Sequence, residues 1–146
     1  MALIVEACSA QHLGDREEQQ DRVAIHAHPR ARGVLLAALA DGMGGHTGGA
    51  LAAEQVLHSA RLGFGHANPG ANNVADMLRE AINDAHDGIK LTRYTSEQDP
   101  HSTACLLVLQ PGRADWAHCG DSRIYHFRDG RLMARTADHS YVGDLV

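Results

Sequence analysis

The sequence predicts an α+β fold in which helices cover a largely antiparallel sheet. Three observations predict it. Short apolar runs lie near the amino terminus, two stretches with helical spacing follow them, and alternating segments occupy the last third. No repeat or domain boundary interrupts the chain, so we predict a single domain over residues 1–146.

The first predicted strands span residues 3–8, 22–28 and 33–40. Each is a short apolar or alternating run, and polar or proline-containing segments separate them, which is typical of strands joined by loops. We therefore expect the three strands to belong to one sheet.

Two helices are predicted in the middle of the chain. Apolar residues recur at three- and four-residue spacing over residues 50–62, and we expect Gly63 and Gly65 to end this helix. The same spacing returns over residues 74–85 and is expected to fade near Gly88.

The last third has the texture of a strand meander. Residues 104–109, 115–119, 123–127 and 131–135 are strand-like. The pairs Pro111-Gly112 and Asp129-Gly130 are typical of tight turns between strands.

Composition narrows the class of protein. The 146 residues are 44% hydrophobic, which is enough for one core, and no apolar run reaches the roughly 20 residues of a membrane span. No basic region precedes the short apolar start, which disfavours secretion. Three cysteines without zinc-site spacing fit a reduced cytoplasm, and a net charge of -5 disfavours nucleic acid. We predict a cytoplasmic protein without nucleic-acid or membrane partners.

The most informative motif begins at Asp41, which ends an apolar strand and precedes a glycine-rich stretch before a helix. Glycines let a backbone approach an ion or a phosphate closely. Asp41 would then be a hard oxygen ligand for Mg²⁺ or Mn²⁺. The alternative is a tight strand-to-helix connection in which Asp41 caps the helix, and this stretch alone leaves both interpretations open.

Two further clusters carry charged groups. Arg16 stands five positions before Asp21. Arginine binds phosphate oxygens through two parallel hydrogen bonds, whereas a nearby carboxylate would bind a metal. The alternative is a solvated charge run. Asp121 lies in a turn between two predicted strands and is either another ligand or a turn former.

Together the motifs resemble those of a known family, the metal-dependent protein serine/threonine phosphatases of type 2C in their bacterial form. The segments that carry the resemblance follow the family's order: 16–21, 41–46, 102–103, 120–125, 128–130 and 136–140. The resemblance extends over residues 9–146. It implies a layered β-sandwich of αββα type, with helices on the sheet and the carboxy-terminal part missing.

The resemblance also implies an activity and a site. The full-length enzyme would hydrolyse phosphoserine and phosphothreonine in proteins with metal-activated water. Asp41 and the carbonyl of Gly42 would hold two Mn²⁺ or Mg²⁺ ions with support from Asp21, and Asp121 would help to hold a third. Arg16 would bind the substrate phosphate. The implied partners are a phosphorylated protein substrate and a cognate serine/threonine kinase, and the full-length protein would be a monomer.

This sequence departs from the family pattern at several places. Gln20 and Gly49 stand where the family usually has acidic residues. Met43 replaces a histidine that animal relatives use as a general acid, and we do not expect His46 to take that role. The later aspartates that complete the family's metal pair are absent, so we expect an incomplete site with exposed edges and apolar surface. The alternative function is an inactive pseudophosphatase fragment that binds phosphoproteins without cleaving them.

Overall fold

The structure, a computed structural model, describes residues 4–44, 48–71, 73–95 and 98–139. Leu3, His46 and Ser140, which the sequence motifs include, lie outside these ranges. The elements in chain order are β1 (Asp21–Ala27), β2 (Leu35–Met43), α1 (Gly48–His66), α2 (Val74–Thr95), β3 (His101–Ser102), β4 (Ala104–Gln110), β5 (Arg113–Cys119), β6 (Tyr125–Arg128) and β7 (Arg131–Arg135). A short 3-10 turn over Pro69–Ala71 joins the two helices.

One antiparallel sheet organises the fold. Its strand order is β1-β2-β4-β5, and the two-residue strand β3 pairs with the end of β2. Strands β6 and β7 form a separate two-stranded sheet. Side chains alternate between the faces of a strand. In β2, Leu36, Ala38 and Ala40 are therefore buried on one face, while Leu39 lies on the other.

The core lies between the sheet and the two helices. Its largest fully buried side chains come from all of these elements, namely Leu36, Phe64, Leu78, Leu106 and Val108. Burying one such side chain contributes about 1.5–3 kcal/mol. On the opposite face of the sheet, Leu39 and Trp116 are each 41% exposed. This face therefore carries exposed apolar surface, as expected from the sequence.

The predicted arrangement of helices over an antiparallel sheet is confirmed, and four local predictions are wrong. The predicted meander is interrupted after β5, because β6 pairs with β7 in a separate sheet. Residues 4–8 form no strand and are exposed, because they pair with no neighbouring strand. Helix α1 continues through Gly63 and Gly65 to His66, and α2 continues past Gly88 to Thr95.

Packing between the helices accounts for one of the glycines inside them, Gly88. A Cβ atom at Gly88 would lie 2.9 Å from the side-chain Cδ of Gln55, so the bare backbone leaves room for a side chain from α1. A Cβ at Gly63 would lie in ordinary contact with Met77 of α2, 3.7 Å away. Tertiary contacts therefore override the weak helix propensity of glycine. Within the described ranges, neither helix combines the length and hydrophobicity that a bilayer span requires.

Candidate metal centre

The register between β1 and β2 places Asp21 directly opposite Asp41. Residues opposite each other in an antiparallel pair project from the same face of the sheet. Because neighbouring Ala40 points into the core, both carboxyl groups lie on the face away from the helices. Two motifs that are twenty positions apart in sequence thus meet at one end of the sheet.

The pKa of Asp41 depends on the charged residues that lie near it. Partial burial, followed by a hydrogen bond with Asp21 and the charge of that residue, raises the pKa of Asp41 to about 6. The charge of Asp121 also raises this pKa, whereas the charge of Arg16 lowers it. The structure therefore brings together Arg16, Asp21, Asp41 and Asp121, all four of the charged residues that the sequence singled out.

Thr103 holds the backbone of Asp41 in place. The Asp41 N–H donates to Thr103 Oγ1 at 3.0 Å, and the Thr103 N–H donates to the Asp41 carbonyl at 2.9 Å. The same hydroxyl hydrogen-bonds Ser122 Oγ at 2.6 Å, next to Asp121. Thr103 lies in one of the sequence motifs, but the motif indicates no role for it, because only the fold brings these three segments together.

The turn that carries Asp121 is braced by the last described segment. The N–H of His139 donates to the Gly120 carbonyl at 2.9 Å, and the N–H of Gly120 donates to His139 Nδ1 at 3.2 Å. Asp138 accepts two hydrogen bonds from the Arg123 guanidinium, each 2.9 Å long. This segment therefore supports the turn.

The donor set is small. Among the residues that the structure describes, no group of three or more His, Cys, Asp or Glu side chains is placed to hold a metal ion together. The centre consists of the Asp21–Asp41 carboxyl pair, with Asp121 acting on it through its charge. Both carboxyl groups are hard oxygen donors of the kind that Mg²⁺ and Mn²⁺ prefer.

A comparison with known families identifies the class of protein to which this fold belongs. The family model described as Protein phosphatase 2C matches residues 8–143. The chain therefore belongs to the protein phosphatase 2C family, and the resemblance seen in the sequence motifs is confirmed.

The curated relatives belong to the bacterial branch of this family. A putative protein phosphatase 2C-type of Streptococcus pyogenes is 32% identical over 133 residues, covering 90% of this chain and 53% of the relative. The serine/threonine protein phosphatase PstP of Mycobacterium tuberculosis is 34% identical over 117 residues, covering 78% of this chain and 22% of PstP. The chain thus spans about half the length, or less, of these curated relatives.

Solved structures agree on the fold. The catalytic domain of PstP in complex with two manganese ions superposes with a TM-score of 0.75 at 28% identity, covering 89% of this chain and 54% of that one. The serine/threonine phosphatase of Streptococcus agalactiae gives a TM-score of 0.69 at 26% identity, covering 89% and 54%. The predicted fold class is confirmed by this agreement.

Proposed function

We propose that this protein hydrolyses phosphoserine and phosphothreonine in proteins, using Mn²⁺ or Mg²⁺. The observation that carries the proposal is the meeting of the Asp21 and Asp41 carboxyl groups beside the charge of Arg16. Membership in the protein phosphatase 2C family supports the same reaction.

The residues present fit a divalent cation. Two carboxyl groups that share a hydrogen bond repel each other when both ionise, and a cation between them relieves this repulsion. In our proposal Asp21, Asp41 and the Gly42 carbonyl hold two ions, and Asp121 helps to hold a third. Bound ions of this kind supply a more acidic water and neutralise charge on a phosphoryl group.

Arg16 would receive the substrate. Its side chain is exposed, so a phosphoprotein can reach it, and its charge acts on Asp41. The planar guanidinium can hold two phosphate oxygens through parallel hydrogen bonds. A phosphate held by Arg16 would lie near the Asp21–Asp41 pair, and holding it there would favour attack by water.

The test is release of phosphate from a phosphothreonine peptide with Mn²⁺ or with EDTA. It uses this chain and any longer product of its gene. We expect metal-dependent turnover, and a loss of kcat/KM of at least about tenfold in Arg16→Ala. Arg32→Ala is the matched control, because Arg32 is exposed and precedes the opposite end of β2. Absence of metal-dependent turnover from every form would refute the proposal.

The same protein samples also test the alternative function, a pseudophosphatase that binds phosphoproteins without cleaving them. Calorimetry with the peptide would then show binding that Arg16→Ala abolishes, while no form releases phosphate. The proposal also includes a cytoplasmic location, a cognate serine/threonine kinase and a monomeric full-length protein. Phosphoproteomics of a deletion strain would test the substrate and kinase, and light scattering would test the monomer.

A further inference from the structure

Three backbone segments meet behind the Asp21–Asp41 pair. The N–H of Gly42 donates to the carbonyl of Gln20 at 3.0 Å. A Cβ atom at Gly42 would lie 1.8 Å from the carbonyl oxygen of Gly49, in the first turn of α1, and 2.9 Å from the Gln20 carbonyl oxygen. Real Cβ atoms essentially never approach other atoms within 3.0 Å. The ends of β1, β2 and α1 therefore touch through bare backbone at Gly42.

The side chain of Gln20 closes the same contact from the other side. A Cβ atom at Gly49 would lie 2.7 Å from Gln20 Oε1 and 2.8 Å from the backbone nitrogen of Met43. The amide of Gln20 thus lies directly over Gly49. The fold thus places the side chain of Gln20, which precedes β1, against the first turn of α1.

We infer that Gln20, Gly42 and Gly49 form a joint that fixes the separation of the Asp21 and Asp41 carboxyl groups, with Gln20 as a positioning residue. Gln20 directly precedes Asp21, and Gly42 directly follows Asp41. Any movement of either residue therefore moves a carboxyl group. This inference rests on the proposed role of both aspartates in holding Mn²⁺ or Mg²⁺.

Small displacements matter because of the geometry that these ions require. Mg²⁺ demands near-ideal coordination at about 2.0–2.1 Å. A side chain at position 49 must displace either the Gln20 amide or the backbone at Met43. The amide can rotate away, whereas the backbone can yield only by moving the end of β2, which carries Asp41. Groups that orient ligands in this way typically change metal affinity by about 10–100-fold.

The experiment measures Mn²⁺ affinity from the broadening of backbone amide signals in the isotopically labelled chain. It compares Gly49→Ala, Gln20→Ala and the double variant, with unfolding midpoints recorded in EDTA. Gly65→Ala is the matched control, because Gly65 lies in the same helix and a Cβ there would meet nothing within 4 Å. We expect wild-type affinity in Gly65→Ala and affinity lower by about tenfold or more in Gly49→Ala.

Gln20→Ala tests the positioning of the carboxyl groups separately from the stability of the protein. It removes the contact of the Gln20 amide with Gly49 and introduces no steric clash. We expect its Mn²⁺ affinity to fall by about tenfold while its unfolding midpoint in EDTA stays near that of the wild type. In the double variant the amide collision is gone, so its loss should be smaller than the sum of the two single losses.

The outcomes distinguish the proposed metal role of Asp21 and Asp41 from the proposed joint. A wild-type chain without Mn²⁺-dependent broadening near Asp21 and Asp41 overturns the proposed metal role, and the joint with it. If the wild type binds, wild-type affinity in Gln20→Ala or in Gly49→Ala overturns the joint alone. Strictly additive losses in the double variant also overturn it. If Gly49→Ala does not fold, the Gln20→Ala result decides.

Discussion

Replacing Asp41 by asparagine should stabilise the metal-free protein at neutral pH. In the wild type, burial and the neighbouring Asp21 raise the pKa of Asp41 from 3.8 to about 6. Such a rise corresponds to about 3 kcal/mol if solvent does not screen it. Because Asp41 is only partly buried, screening reduces the expected effect to about 1 kcal/mol, or roughly 3 °C in the unfolding midpoint.

The pH dependence follows from the direction of the pKa change. Well below pH 3.8, Asp41 is protonated in both the folded and the unfolded state, so its environment imposes no cost. As the pH rises to about 6, the unfolded carboxyl ionises more readily than the folded one, and stability falls. The advantage of Asp41→Asn should therefore be absent well below pH 3.8 and complete above about pH 6.

Urea denaturation in EDTA measures this difference, and Mn²⁺ should reverse it. At ten times its dissociation constant, a bound ion adds about 1.4 kcal/mol to wild-type stability. Asparagine removes one anionic ligand, so the variant should gain less. The predicted stabilisation is refuted if Asp41→Asn is less stable than the wild type in EDTA at pH 7.5, or if the difference does not depend on pH.

Two further variants test the surroundings of the site. Thr103→Val removes the acceptor of the Asp41 N–H and the partner of the Ser122 hydroxyl. Leaving these partly buried groups unpaired should lower the free energy of unfolding by about 1 kcal/mol or more, measured by urea denaturation. Arg123→Ala removes the guanidinium that holds the pKa of Asp138 below its usual value. The Asp138 pKa, followed by carboxyl NMR, should rise towards the ordinary range, although the charges of Arg135 and His118 still lower it. The stability that the pair contributes at neutral pH, which is lost as the pH falls through the Asp138 pKa, should disappear in the variant.

Each of these variants has a control and a contrary result. Thr92→Val is the control for Thr103→Val, because the Thr92 hydroxyl only donates to a carbonyl within its own helix, that of Gly88. Equal losses in both variants would contradict the role of Thr103. For Arg123→Ala, Arg113→Ala is the control, since Arg113 pairs with Asp115 instead. An unchanged Asp138 pKa in Arg123→Ala would contradict the assigned cause.

The helices show where sequence patterns suffice and where they fail. Spacing of three and four residues predicted both α1 and α2, because an amphipathic helix must bury one apolar stripe whatever it packs against. Their ends were predicted too early at Gly63 and Gly88. Local propensity disfavours glycine in helices, but contact between α1 and α2 favours a residue without a side chain at Gly88.

For the candidate site too, the sequence predicts some features and the tertiary structure decides the others. The sequence by itself determined the chemical types, because Arg16, Asp21 and Asp41 stand in recognisable local motifs with the donors that phosphate and divalent ions require. Only the tertiary structure decided that the carboxyl groups meet, since the register of β1 on β2 sets their distance. It alone revealed the contact of Gln20 with Gly49. Contacts between residues far apart in sequence depend on how strands and helices pack, and local patterns carry no record of that packing.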